Sequence, residues 1–301
     1  MNFKLDEEIN IIQKLLFNIE KEQETFYKNL FLHRDEDISF IEKKGERTFY
    51  EYYPYLFYDE FRIVNQEKYR KLALSGSLLL KNILLNDKLM DFKDLIDPSR
   101  LFSSNFLYKK SLDLLYSIFT ASSVFWNYFE KYNKEFTNAV FLERSKHFGI
   151  VSPYPYTDFE IIARGKAAIS KNATTALAIL SNTPEKIEPL ETTQNYFNTA
   201  FQLYDDLLDW KEDYLNRNYS YLLTTVIYEN QLVEEVKSNN TPDLETISRA
   251  IYLSKAAENQ MDNALLALTE AAIYGKNCSL WLENIKKIAS KIFFRYLFLE
   301  I

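Results

Sequence analysis

Apolar residues recur at three- and four-residue spacing along almost the whole of this chain, and this helical period limits the fold more than any other feature. The first such segment, LDEEINIIQKLLFNIEKEQETF at 4–24 by its approximate bounds, reads as an amphipathic helix. Further helices are predicted at 64–96, 105–133, 157–181, 190–216, 219–237, 243–274 and 279–298. Only 5 of the 301 residues are Gly, and no run alternates apolar and polar residues as a strand does. The sequence therefore predicts an all-α fold of about eight to ten helices.

Several classes of protein are disfavoured by composition. No repeat, low-complexity tract or linker divides the chain, so we expect one domain over residues 1–301. A net charge of -7 disfavours nucleic acid as a partner, and the single cysteine, Cys278, excludes an intramolecular disulfide. No signal peptide or membrane-spanning run is apparent, which predicts a cytoplasmic protein. His33 and His147 lie among charged residues, and we expect both to be exposed and without a catalytic role.

The stretch YDDLLDWKEDY at 204–214 places five carboxylates and a single cation, Lys211, in a segment of helical period. At about 100° per residue, Asp205, Asp209 and Asp213 fall within about 80° of one another on one helix face. Within this stretch no Lys or Arg lies three or four residues from these acids on their face, whereas solvated helix faces usually mix the two signs. A divalent cation is the simplest source of the missing positive charge.

A second acidic stretch, LNDKLMDFKD at 85–94, places Asp87 and Asp91 on one face of another predicted helix. Towards the N-terminus the same face is apolar and includes Leu84 and Leu80. This pattern predicts a helix that lines an apolar cavity and carries a metal site at its mouth. Two such helices, facing each other, would hold Mg²⁺ through carboxylates, and Mg²⁺ bound in this way usually carries substrate phosphates.

These motifs resemble those of the class I isoprenoid synthases, which include terpene cyclases, chain-elongating prenyl synthases and squalene/phytoene synthases. The segment QLYDDLLDWKEDYLNRNYSYLL at 202–223 is similar to the DDxxD second motif of prenyl synthases and to the DxxxDxxED motif of the squalene/phytoene group. The resemblance covers 70–300 loosely, and residues 1–60 carry none of the motifs. It implies a single helical bundle around a central apolar cavity.

The resemblance also implies a set of metal ligands. Asp205, Asp209 and Asp213 match the second motif, which coordinates Mg²⁺ bound to the substrate diphosphate. Asp87 and Asp91 match the first motif, although DKLMD has Lys where the usual DDxxD has a second Asp. Mg²⁺, with three ions per active site, is the implied cofactor.

Four further residues are implied to bind the diphosphate. Arg164, with Lys166 nearby, lies 41 residues before Asp205, an offset similar to that of the diphosphate-sensing Arg of microbial terpene cyclases. Arg295 and Tyr296 form an Arg-Tyr pair that begins 90 residues after Asp205, which also resembles those enzymes. Each residue also has an ordinary structural interpretation, because a helix surface commonly carries cations.

The implied chemistry is ionisation of an allylic diphosphate, which leaves a carbocation that must be shielded from water and that aromatic faces stabilise. The segment SIFTASSVFWNYF, predicted to lie on one helix, offers Phe119, Phe125 and Trp126 for this purpose. Together with Leu80 and Leu84, these rings are the predicted cavity lining. Ordinary core packing is the alternative for each ring.

Three functions remain open at this stage. The favoured one is a Mg²⁺-dependent terpene cyclase that ionises one linear prenyl diphosphate, cyclises the carbocation and releases diphosphate. A condensing prenyltransferase, either head-to-head or chain-elongating, is the alternative. Elongating enzymes usually carry a GKR-like segment near the N-terminus and Arg residues after the first motif, where this chain has only Lys93 and the distant Arg100. The third is a non-catalytic helical protein that binds metal or a partner. A prenyl diphosphate is the expected ligand, and a homodimer is the commonest arrangement for this fold.

Overall fold

The computed structural model describes residues 4–30, 49–91, 98–238 and 242–297. The α-helices in these ranges are Leu5–Leu30 (α1), Gln66–Asp91 (α2), Pro98–Tyr116 (α3), Phe125–Leu142 (α4), Tyr156–Lys166 (α5), Lys171–Leu180 (α6), Ile187–Leu215 (α7), Tyr221–Glu229 (α8), Val233–Lys237 (α9), Leu244–Leu253 (α10), Ala256–Tyr274 (α11) and Ser279–Leu297 (α12). A 3-10 segment at Phe49–Glu60 precedes α2. Across the described ranges, extended pairing is limited to one isolated bridge, so the all-α prediction is confirmed there.

The chain falls into two compact units. One comprises Met1–Tyr128 with Asn172–Pro184, and the other comprises Phe129–Lys171 with Glu185–Ile301. The single domain expected over residues 1–301 stays a prediction, as does the central cavity. None of the helices described here has an apolar run long enough to cross a membrane.

In the first unit, α2 and α3 run antiparallel and are joined by small polar side chains. The Ser75 and Ser111 hydroxyl oxygens lie 2.7 Å apart, and the Asn82 amide donates to the Ser104 carbonyl at 2.9 Å. All four residues are buried, and these bonds satisfy their polar groups. The contact fixes α2, whose C-terminal end carries Asp87.

A partly buried ion pair attaches α1 to α2. The Arg70 guanidinium donates to both carboxylate oxygens of Glu8, at 2.6 and 2.8 Å, and the buried Tyr55 hydroxyl donates to the same carboxylate at 3.1 Å. These bonds, led by the one from Arg70, lower the pKa of Glu8. The stability that they contribute is therefore present at neutral pH and is lost as the pH falls through the lowered pKa.

We expect Glu8→Gln to lower the free energy of unfolding by about 1–3 kcal/mol at pH 7, because a charge-assisted network is replaced by weaker neutral bonds. Urea denaturation measures this change. The matched control is Glu7→Gln, since Glu7 is exposed and forms an ion pair with the equally exposed Lys4. Equal midpoints for the two variants would show that the pair does not stabilise α1.

The second unit is organised around α7. Leu203, Leu207, Trp210 and Tyr214 form its buried side, as the helical period predicts. The Gln260 amide of α11 donates to the Leu203 carbonyl at 2.8 Å, which ties α11 to the middle of α7. The acidic positions of α7 therefore lie beside a firmly packed apolar face.

One predicted helix, 105–133, was wrong as a continuous element. The chain leaves α3 after Tyr116 and enters α4 at Phe125, and the intervening SIFTASSV forms turns. There the Ser123 hydroxyl accepts a bond from the Phe125 backbone N–H, and the Trp126 indole donates to the Thr120 carbonyl. Ser and Thr side chains compete with helical hydrogen bonds in this way.

Three other predicted helices are also interrupted. The segment 157–181 is divided by a short 3-10 turn at Ala168–Ser170. The segments 219–237 and 243–274 are divided where Gln231 and Lys255 adopt left-handed backbone angles, with φ of 57° and 65°. Such residues end helices, and without Gly at these positions the sequence gives no signal of the break.

Candidate metal and diphosphate site

Four Asp side chains are distributed over the C-terminal part of α7 and differ in burial. Asp206 is buried, Asp205 and Asp213 are half-buried, and Asp209 is exposed. A rise of about 1.5 Å per residue separates Asp205 from Asp213 by about 12 Å along the helix axis. The face thus offers a row of carboxylates rather than one closed cage.

Asp206 is the member that the sequence interpretation missed. Its carboxylate accepts a hydrogen bond from the Gln202 amide at 2.8 Å and another from the backbone N–H of Leu222 in the first turn of α8. Burial raises its pKa to about 7, although the Gln202 bond opposes the rise, and the charges of Asp213 and Asp205 add to it. Asp206 precedes Asp213 by seven residues, a spacing that returns to the same helix face, so the signal was present in the sequence.

The other acids also carry uncompensated charge. Burial, with the charges of Asp209 and Asp205, raises the pKa of Asp213 to about 6, although the Asn218 amide donates to it at 2.9 Å. Burial and the charge of Asp209 raise the pKa of Asp205. Lys166 acts in the opposite direction on both groups, which places it near them. A cation bound here would relieve this repulsion.

The position of Lys166 is set by a close helix contact. Its ammonium lies 3.0 Å from the Glu143 carboxylate. At the preceding Gly165, a Cβ atom would lie 2.5 Å from the Ala139 Cβ and 2.8 Å from the Glu135 carbonyl oxygen, so α5 packs directly on α4. The predicted diphosphate ligand Lys166 is therefore brought to the acidic face of α7 by backbone packing.

Arg164, the second predicted cation, is half-buried and already paired. It forms an ion pair with Glu160 one turn earlier, and its Nε donates to the Thr199 hydroxyl of α7 at 3.3 Å. Its guanidinium also lies 5.8 Å from the centre of the Tyr196 ring. The structure thus places Arg164 against α7, in the turns that precede Asp205.

In the part of the chain that the structure describes, no three His, Cys, Asp or Glu side chains are grouped closely enough to hold a metal ion. The spacing of the carboxylates along α7 accounts for this, because one ion can contact only carboxylates that are neighbours along the helix. Mg²⁺ is usually bound through one or two carboxylates together with substrate phosphates and waters.

The face of α2 that leads to Asp87 is apolar yet accessible. Leu84 is 47% exposed, Leu80 is half-buried, and Gly76 is exposed with open space where a Cβ would lie. Asp87 is half-buried, and the side chain of Asp91, the last residue of α2, lies outside the described part of the structure. The predicted apolar stripe is present, whereas the meeting of the two acidic motifs stays a prediction.

The predicted cavity rings are packed against neighbours in the first unit. Phe119 and Phe125 are buried and stack on each other, with ring centres 4.1 Å apart and an angle of 8° between planes. Trp126 is half-buried against Tyr116, with ring centres 4.3 Å apart. Phe119 and Phe125 are therefore core residues, Trp126 packs on the exposed Tyr116, and a role in lining a cavity stays a prediction.

Two further predictions fall at the end of α12. The backbone of Arg295 and Tyr296 continues that helix, and their side chains lie outside the described residues.

The expected exposure of His147 was wrong, since this residue is only 2% exposed. His33 lies outside the described ranges. The charged neighbours in sequence misled because the His147 ring is covered by the stacked Tyr154 ring and is bonded to Asp158.

The arrangement of helices is the all-α fold of prenyl pyrophosphate synthases. A geranylgeranyl pyrophosphate synthetase from the archaeon Geoglobus acetivorans matches 95% of this chain and 99% of its own, with a TM-score of 0.72 and 15% identity. An octaprenyl pyrophosphate synthase from Helicobacter pylori matches 96% of this chain and 99% of its own, with a TM-score of 0.70 and 14% identity. A geranylgeranyl pyrophosphate synthase from Corynebacterium glutamicum matches 97% and 93%, with a TM-score of 0.71 and 17% identity. No protein-family model and no curated protein matches the sequence, so the likeness is one of fold.

Proposed function

We propose that this chain is a Mg²⁺-dependent enzyme that acts on prenyl diphosphates, and that its reaction is chain elongation by condensation. The observation that carries the proposal is the row of repelling carboxylates on α7, within a fold that prenyl pyrophosphate synthases share along nearly the whole chain. The terpene cyclase favoured by sequence has less support, because the matched solved structures named above are prenyl pyrophosphate synthases.

The carboxylates of this chain fit Mg²⁺ as a cofactor. Asp205, Asp209 and Asp213 offer hard oxygen ligands, and the raised pKa values of Asp205 and Asp213 reveal negative charge that a cation would neutralise. Asp87 and Asp91 are proposed as the facing ligands. When bound, three Mg²⁺ ions would neutralise the diphosphate leaving group so that the allylic carbon–oxygen bond ionises.

The cationic side chains are proposed to hold the diphosphate. Lys166 lies beside the acids, and Arg164 approaches α7 through Thr199. Both are paired with carboxylates, Glu143 and Glu160, so binding a diphosphate would exchange one anionic partner for another. Arg295 and Tyr296 are proposed as further diphosphate ligands from α12.

A terpene cyclase is the second candidate, and one specific observation favours it. Condensation needs a site for a second diphosphate, and the segment DFKDLIDPSR at the end of the first motif offers only Lys93 and Arg100 as cations. A cyclase ionises one substrate and needs no such site. A non-catalytic metal-binding protein is the remaining alternative.

Product analysis separates these functions. We expect the protein with Mg²⁺ to lengthen geranyl, farnesyl or geranylgeranyl diphosphate when isopentenyl diphosphate is present, and to form no hydrocarbon from any of them alone. Mass spectrometry of both phases measures the outcome. A hydrocarbon from a single substrate would instead establish the cyclase. Absence of product together with absence of Mg²⁺-dependent binding of inorganic diphosphate would rule out both enzymes.

A further inference from the structure

A buried histidine and a stacked tyrosine lie in the segment 147–156, between α4 and α5. The rings of His147 and Tyr154 are 3.7 Å apart and within 4° of parallel. The His147 Nε2 atom lies 3.1 Å from an Asp158 carboxylate oxygen, and the Lys146 ammonium lies 2.5 Å from the same oxygen. The His147 Nδ1 atom is buried and has no hydrogen-bond partner among the described residues. The bond to Asp158 therefore holds the imidazole, and the imidazole supports the Tyr154 ring.

This segment is attached to the acidic end of α7 at two points. Phe148 and Asn218 form an antiparallel backbone bridge, and the Asn218 side chain donates to Asp213. The Tyr154 ring meets the edge of the Tyr221 ring at the start of α8, with centres 5.7 Å apart. The first point adjoins Asp213 of the acidic row, and the second lies at the start of α8. Tyr154 is therefore held at the proposed site.

The hydroxyl of Tyr154 is a neutral donor among carboxylates. Burial, followed by the charges of Asp206, Glu143 and Asp158, raises the pKa of Tyr154 far above its usual range, so the hydroxyl keeps its proton. Tyr154 is half-buried, and its hydroxyl makes no hydrogen bond within the described ranges. Glu143, which pairs with Lys166, links this donor to the predicted diphosphate ligands.

We infer that Tyr154 is a further substrate-binding residue, whose hydroxyl donates a hydrogen bond to the diphosphate carried by the α7 site, and that His147 and Asp158 position its ring. This inference rests on the proposed function, because it needs a diphosphate at the acidic row. A phenol suits the role, since it adds a donor without adding charge to a region that already holds Asp206, Glu143 and Asp158.

Tyr154→Phe tests the hydroxyl while keeping the stacked ring. With Mg²⁺ and inorganic diphosphate as the probe, calorimetric titration should give a dissociation constant about 10-fold higher than that of the parent protein. The matched control is Tyr221→Phe, because that hydroxyl belongs to the same ring cluster but bonds to Thr225. We expect the control to bind inorganic diphosphate as the parent does.

The positioning role has its own measurement. His147→Ala should weaken diphosphate binding by a factor similar to that of Tyr154→Phe, and the double variant should be no weaker than the single ones, because both changes remove one interaction. Additive losses in the double variant would overturn the positioning role. Should His147→Ala fail to fold, Asp158→Ala removes the carboxylate that holds the imidazole while keeping both rings, and the same non-additivity is expected.

The outcomes separate this inference from the function on which it rests. A parent protein that does not bind Mg²⁺ and inorganic diphosphate would overturn the proposed function and the inference together. A parent that binds them, with Tyr154→Phe equal to Tyr221→Phe, would overturn the inference alone.

Discussion

Asp209→Asn should lower Mg²⁺-dependent turnover by about 10²–10³-fold while leaving the fold intact. Asp209 is exposed, lies about one turn from both Asp205 and Asp213, and contributes to the raised pKa of each. Asn nearly preserves its shape, so the loss reports the missing charge at the proposed metal site. Product formation at saturating substrate, measured over a range of Mg²⁺ concentrations, tests this expectation.

The control for this variant is Glu188→Gln, which removes an exposed carboxylate from the first turn of the same helix. Its turnover should equal that of the parent protein. Normal Mg²⁺-dependent turnover in Asp209→Asn would mean that the acidic face of α7 is only solvated, and that the function must be sought elsewhere.

The second large effect concerns stability without metal. The pKa of Asp206 is raised from its usual 3.8 to about 7, so between these values the folded protein binds more protons than the unfolded chain. The free energy of unfolding therefore falls as the pH rises through this window, by about 4 kcal/mol from this group. Asp213, with a pKa of about 6, adds a loss of the same sign.

Asp206→Asn should remove the part of this loss that belongs to Asp206. In metal-free buffer we expect the variant to be more stable than the parent at pH 7.5 and nearly equal to it at pH 4, because Asn still accepts the bond from Leu222. Urea denaturation at several pH values measures the difference. The exposed Asp262 on α11 supplies the control, and Asp262→Asn should follow the parent at every pH. Parallel curves for Asp206→Asn and the parent would contradict the raised pKa.

The spacing of apolar residues was sufficient to predict α7, but it did not predict which of the Asp side chains on this helix are buried. The helix was expected at 190–216 and is found at Ile187–Leu215, with Leu203, Leu207 and Trp210 buried as predicted. Burial of Asp206 depends on the N-terminus of α8, which no residue pattern within α7 reveals.

Two of the missed features left no signal in the local residue pattern. The left-handed residues Gln231 and Lys255 end helices without Gly, and His147 is buried in contact with Tyr154 and Asp158, which follow it by 7 and 11 residues. By contrast, the pair between Arg164 and Glu160 has ordinary helical spacing and was accessible to sequence reasoning. The sequence pointed to Arg164 as a cation, but its partner Glu160 was not predicted.

Gly165 separates the two cations of α5, and its missing side chain allows that helix to meet the backbone of α4 at Glu135. The backbone that carries Arg164 and Lys166 is therefore positioned by main-chain contact, and the ion pairs with Glu160 and Glu143 act on the side chains alone. Replacement of Gly165 by any residue with a Cβ would therefore displace α5 from α4 and move both cations together, whereas Arg164 and Lys166 can each be exchanged without this clash.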